Sequence, residues 1–110
     1  MPCLLITYDV KGNKRDAAEV RRNIREVIRE NYQAHLFLSV STYAIATDWQ
    51  PELVLQDMEI RVASAQRKRV ELTIYVISLS QPWDGECPDN AREWLNRHLP
   101  VIQWASPASG

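Results

Sequence analysis

Apolar residues recur along this chain with two different periods, and the switches between them mark out its elements. Leu4-Leu5-Ile6-Thr7-Tyr8 is a β-prone apolar run that ends at Asp9 and passes into Lys11-Gly12-Asn13, which is turn chemistry. A run apolar on both faces predicts a central strand covered on at least one side by helices. Asp16 and Glu19 stand at capping-box spacing, and behind them Ala17, Val20, Ile24, Val27 and Ile28 make one helical stripe. Residues 16–31 therefore read as an amphipathic helix. From Ala34 to Thr47 the period shortens: Leu36, Leu38 and Val40 alternate with more polar neighbours, and Tyr43, Ile45 and Thr47 continue in β-type residues. This predicts two strands, or one long bent strand, broken near Ser39-Val40-Ser41.

Asp48-Trp49-Gln50-Pro51 opens the next helix, with Pro51 in the first turn where a missing N–H costs little. Leu55, Met58, Val62 and Ala65 repeat at helical spacing up to Gln66, and the basic Arg67-Lys68-Arg69 closes that helix at the negative end of its dipole. Val70 to Leu79 alternates most regularly, Leu72, Ile74, Val76 and Ser78 against Thr73, Tyr75, Ile77 and Leu79. Pro82, Gly85 and Pro88 mark a loop, in which Trp83-Asp84-Gly85 reads as a turn with an aromatic anchor. A last short helix fits residues 88–98, with Ala91, Trp94, Leu95 and His98 on one side, and residues 105–110 are expected to fray.

The order strand, helix, two strands, helix, strand is βαββαβ, which predicts an α+β domain of the ferredoxin-like type, with an antiparallel sheet, both helices on one face and a short C-terminal helix added. Residues 1–100 make a single domain and residues 101–110 a tail. The second face of the sheet stays bare unless a second copy of the chain or the last helix covers it.

Composition narrows the class. The chain has 110 residues, 45% hydrophobic and 25% charged, which is ordinary globular usage for one domain. A net charge of −1 gives no bulk field that would advertise a polyanionic partner. Cys3 and Cys87 follow no ligand spacing and read as reduced thiols of a cytoplasmic protein. No apolar run approaches a membrane span and no signal-peptide pattern opens the chain, so the expectation is a soluble protein with no membrane partner.

Candidate chemistry gathers at the start of the chain. Asp9 leaves the first strand where the backbone is rigid, and a carboxylate there suits Mg²⁺ or Mn²⁺. One carboxylate is a poor site, but in a two-fold homodimer the residue appears twice, and a pair could clamp a metal that activates water for phosphodiester attack. The plainer reading is a turn aspartate bonded to backbone. Arg21, Arg25 and Arg29 fall at successive i,i+4 positions with Arg22 beside them and Arg15 just before, a ridge suited to the phosphates of DNA or RNA. Glu19, Glu26 and Glu30 share the helix, and a solvated, salt-bridged face is the default for such a pattern. Two histidines without ligand spacing make zinc a poor fit, and three glycines exclude the dinucleotide fingerprint and the P-loop.

A first strand ending Ile6-Thr7-Tyr8-Asp9-Val10, followed by an arginine-rich helix, resembles the small CRISPR-associated adaptation subunit (Cas-two-like) and its relatives, including VapD-type ribonucleases. Ser41-Thr42-Tyr43-Ala44-Ile45-Ala46-Thr47-Asp48, Trp83-Asp84-Gly85 and Glu93-Trp94-Leu95 are similar to segments of the SinR-like proteins of that superfamily. The resemblance spans about residues 3–99 and implies a ferredoxin-like homodimer in which the aspartate ending strand one, here Asp9, binds a divalent metal near the two-fold axis. In the adaptation subunits the same scaffold bridges duplex DNA and partner proteins, with nuclease activity dispensable. Two departures stand out: Ser41-Thr42 follows Ser39-Val40 where a second acid is expected, and a helix replaces the usual C-terminal swapped strand. The rival expectation is a non-catalytic protein-interaction or toxin–antitoxin-type module.

Overall fold

A computed structural model describes residues 2–62, 65–81 and 86–100. The Trp83-Asp84-Gly85 turn, residues 101–110 and Trp104 among them lie outside those residues. Strands β1 (Cys3–Lys11), β2 (His35–Ser39), β3 (Thr42–Ala46) and β4 (Glu71–Leu79) form one antiparallel sheet in the order β2-β3-β1-β4. Helices α1 (Lys14–Asn31), α2 (Pro51–Arg61) and α3 (Asp89–His98), with a 3₁₀ turn over Ala65–Arg69, complete an α+β domain compatible with the ferredoxin-like arrangement.

Residues opposite one another in neighbouring strands share a face. Leu4, Ile6, Tyr8 and Val10 of β1 pair with Ser78, Val76, Ile74 and Leu72 of β4, and Ile6 and Leu4 with Tyr43 and Ile45 of β3. That face packs against Ala17, Val20, Ile24, Val27 and Ile28 of α1 and against Val54, Met58 and Val62, forming the main core. Both long helices thus lie on one side of the sheet. The opposite face carries Cys3, Leu36 and Ala44, covered by Ala91, Leu95 and Leu99 in and just after α3. Helix α3 is held by Gln81, whose Nε2 donates to the Asn96 and Leu99 carbonyls at 3.2 Å each while its backbone N–H donates to the Pro100 carbonyl at 2.8 Å. The cover is partial. Tyr75 and Ile77, opposite Thr7 and Leu5 on this same face, remain 60% and 48% exposed.

The segment 34–47 is a hairpin of β2 and β3, with a register irregularity between Phe37 and Ser39. Its turn contains no glycine and is stabilised by Ser39, whose Oγ accepts the Ser41 backbone N–H at 3.3 Å.

Two boundaries differ from the sequence reading. Helix α1 starts at Lys14, because the cap is Asn13: its Oδ1 accepts the Asp16 N–H at 2.8 Å while its Nδ2 donates back to the Asp16 carboxylate. Asp16 is therefore the third residue of a capping box shifted upstream by three, and it is buried. Helix α2 ends at Arg61, where the Val62 N–H closes onto Met58, so Ala65 and the basic triplet belong to a separate 3₁₀ turn. Its buried stripe is Val54, Met58 and Val62 rather than one centred on Leu55, which is only half-buried. Because apolar residues fall on both the buried and the outward side of α2, periodicity could not choose between these stripes.

Candidate functional site

The register of the sheet builds the site. Strand β3 begins at Thr42, opposite Thr7, whereas β1 runs on to Lys11 beside β4 alone. The last sheet-like bond on that side is the Tyr8 N–H to the Ser41 carbonyl, 3.0 Å. Beyond it the sheet has a notch, and helix α1 passes over it. The result is a groove of about 500 Å³ lined by Asp9, Ala18, Arg21, Arg25, Val40 and Ser41.

Each wall has a local cause. Ala18, Arg21 and Arg25 are spaced i, i+3, i+7 and share one side of α1, and the small Ala18 leaves room beneath the two long side chains. The Arg21 guanidinium donates to the Val10 carbonyl at 3.2 Å, satisfying an acceptor that β3 would have taken had it extended further. Arg25 lies close to the Tyr8 hydroxyl, which donates to the Val40 carbonyl at 2.9 Å and so ties β1 to the hairpin turn. Burial pushes the Tyr8 phenol above its ordinary range, and the positive charge of Arg25 works against that shift. Asp9 stands on the partly uncovered face, opposite Thr73, with Lys11 Nζ at 4.0 Å. Both partners of that ion pair are mostly exposed, so its worth is small.

Of the arginines expected to meet phosphate, Arg21 and Arg25 reach the groove. Arg22 points elsewhere: its guanidinium is bonded to Glu19 and, at 2.8 Å, to Glu26, and these carboxylates raise its already high pKa. Arg29 folds onto its own helix, Nε donating to the Arg25 carbonyl at 3.4 Å. Arg15 is exposed in the first turn of α1, away from the groove lining. The even i,i+4 ridge of the sequence is therefore divided between a groove pair and a salt-bridged outer face. Val40 and Ser41 complete the groove, and no local signal marks them, because only the β1–β3 register brings the hairpin turn beside Asp9.

Two arginines beside one aspartate make a net-positive recess suited to an anion that presents several oxygens. Asp9 is the only carboxylate lining the groove, and no group of three or more histidine, cysteine or acidic side chains that could hold a metal exists among the described residues. Among the described residues, one copy of the chain offers Asp9 as the acidic side chain at this groove. Asp48, the acid after the Ser41–Thr47 segment, sits beyond β3 at the opposite end of the sheet, since Ala46 pairs with Cys3. His35 and His98 are engaged locally, each Nδ1 with a backbone oxygen, of Tyr32 and of Trp94. A second hollow, lined by Leu55, Glu59, Arg67 and Leu72–Ile74, holds a cation already committed to the Glu59 and Val62 carbonyls.

No helix among the described residues is long and apolar enough to cross a membrane. Comparison with protein-family models, with curated proteins and with solved structures finds no match for this chain.

Proposed function

We propose that this is a ferredoxin-like, nucleic-acid-binding protein that works as a homodimer, in keeping with its resemblance to the Cas-two-like and SinR-like proteins. The single observation that carries the reading is the shared groove of Asp9, Arg21 and Arg25 at the edge of an incompletely covered sheet face. Arg21 and Arg25 grip backbone phosphates, which ask only for charge and spacing. Tyr75 and Ile77, two apolar side chains left exposed on the face that also bears Asp9, favour association with a second copy there. Such a pairing brings two Asp9 carboxylates toward one axis, and together they would hold Mg²⁺ or Mn²⁺, which supplies an activated water for phosphodiester hydrolysis. The chain's own part is to bind and orient the phosphodiester through the arginine pair and to hold the ion through Asp9.

The test uses purified full-length chain and labelled DNA and RNA, with and without Mg²⁺ or Mn²⁺. Without metal, Asp9→Asn should tighten binding severalfold, because it removes a negative charge beside the phosphates. With metal, it should abolish cleavage. Full metal-dependent cleavage by Asp9→Asn removes the catalytic role, and the absence of nucleic-acid binding at low salt removes the whole reading. Ile77→Glu should yield monomers by light scattering if the sheet face is the interface. The rival reading, a non-catalytic protein-interaction module, has one specific observation in its favour: a line of exposed apolar residues on α2.

A further inference from the structure

Helix α2 faces the sheet with Val54 and Met58 and leaves another side outward. On that outward side Leu53, Gln56 and Ile60 follow one another at spacings of three and four, the seam spacing of a helix that packs against another helix, and Trp49 stands in the bend just before the helix starts. Trp49 is 47%, Leu53 48% and Ile60 78% exposed, and with Gln56 and Asp57 they line a shallow groove of about 260 Å³. Single exposed apolar residues need no explanation. Two a heptad apart on one helix side, with a half-exposed tryptophan at the same groove ahead of the first turn, do.

Charge selects the occupant. Glu52 and Glu59, both exposed, each stand one position before a seam residue, Leu53 and Ile60, which are the flanking positions that set partner choice in helix pairs. On the other flank Asp57 keeps its oxygens on Tyr32 (2.8 Å) and Arg61 (2.7 Å), so the Arg61 charge is spent on Asp57 rather than on the glutamates. A second copy docked antiparallel through α2 would set glutamate against glutamate, and a parallel one would set Glu52 against Asp57, a like-charge clash that disfavours self-association. We infer that the outer face of α2 is a docking site for an amphipathic helix of a different protein, with aliphatic seam residues and lysine or arginine on its flanks. This surface is separate from the Asp9 groove and does not depend on the nucleic-acid reading.

The probe is a pair of labelled synthetic peptides of about three heptads, with identical leucine and isoleucine seams. One carries lysine at the flanking positions and the other glutamate, and each is titrated with the full-length chain by fluorescence anisotropy. The lysine peptide should bind with an affinity that falls as salt rises, and the glutamate peptide should not bind. Leu53→Asp and Ile60→Asp, both at exposed positions that the fold does not need, should each weaken binding roughly tenfold or more. Glu52→Lys with Glu59→Lys should reverse the preference between peptides. The inference is overturned if neither peptide binds, if both bind equally, or if the lysine peptide binds the Leu53→Asp variant as well as the parent. It is also overturned if the chain self-associates and Ile60→Asp makes it monomeric. Nucleic-acid binding by Leu53→Asn and Ile60→Asn, which leave the net charge unchanged, should stay at the parent level, which separates failure here from failure of the groove assignment.

Discussion

Replacing Arg21 and Arg25 together by glutamine tests the groove against the simpler picture of a basic ridge. The structure gives Arg21 and Arg25 to the groove, commits Arg22 to Glu19 and Glu26, and folds Arg29 onto the Arg25 carbonyl. Each phosphate neutralised by a side chain contributes about 0.9 to the slope of log affinity against log salt on duplex DNA. The double variant should therefore flatten that slope by about 1.8, whereas Arg22→Gln should leave it nearly unchanged because its charge is already balanced. Between 50 and 200 mM salt the lost contribution corresponds to roughly a tenfold difference in how far affinity falls. The assay is anisotropy with a labelled duplex over that salt series, with circular dichroism confirming that each variant is folded. The control matters because Arg21→Gln also removes the bond to the Val10 carbonyl, worth about 1 kcal/mol of stability. An equal loss of slope in Arg22→Gln or Arg29→Gln would refute the groove, since the ridge as a whole would then be the binding element.

Other outcomes follow from contacts outside the groove. Tyr32→Phe, which takes a buried donor from Asp57, should cost about 1–2 kcal/mol by urea denaturation. Asp57→Ala should cost more, because it strands the Tyr32 hydroxyl and frees Arg61; a milder effect than Tyr32→Phe would contradict this account. Burial raises the Cys3 thiol from its ordinary 9.0 to about 11, so the folded chain keeps a proton that the unfolded chain releases. Stability from this group is intact below pH 9 and falls as pH rises from there toward about 11, by on the order of 2 kcal/mol. Cys3→Ala should flatten that part of the profile, and an unchanged alkaline decline would assign it elsewhere. Gln81→Ala removes two side-chain bonds to the end of α3 and should accelerate amide exchange in α3 while leaving α1 protected, a pattern that uniform exchange across both helices would rule out.

The elements that sequence periodicity located well are those whose two faces differ in polarity. Helix α1 buries the residues of its apolar stripe, and β4 shows the alternation of its sequence because only its helix-side residues pack into the main core. The two strands over 34–47 were legible from their period, but a hairpin and one long bent strand fitted equally, because the turn carries no glycine and β3 is buried on both faces. Helix α2 was harder. Its buried and outward sides are both apolar, so neither the buried stripe nor the end at Arg61 could be read from spacing. The capping box was placed three residues late because two acceptor-and-acid pairs, Asn13 with Asp16 and Asp16 with Glu19, offer the same signature, and only packing of Asp16 chose the first.

The sequence alone determined the main helices and strands, their order, and an acid at Asp9 with arginines spaced along the helix that follows. Those are local properties, dictated by side-chain period, turn residues and caps within a few positions. Only the tertiary structure decided which of those residues meet. The relative lengths of β1 and β3 open the notch beside Asp9, the angle of α1 across it admits Arg21 and Arg25 while turning Arg22 away, and the docking of α3 leaves Tyr75 and Ile77 uncovered. Such pairings depend on strand register and helix placement, which are fixed by the sum of contacts over the whole core rather than by any local motif.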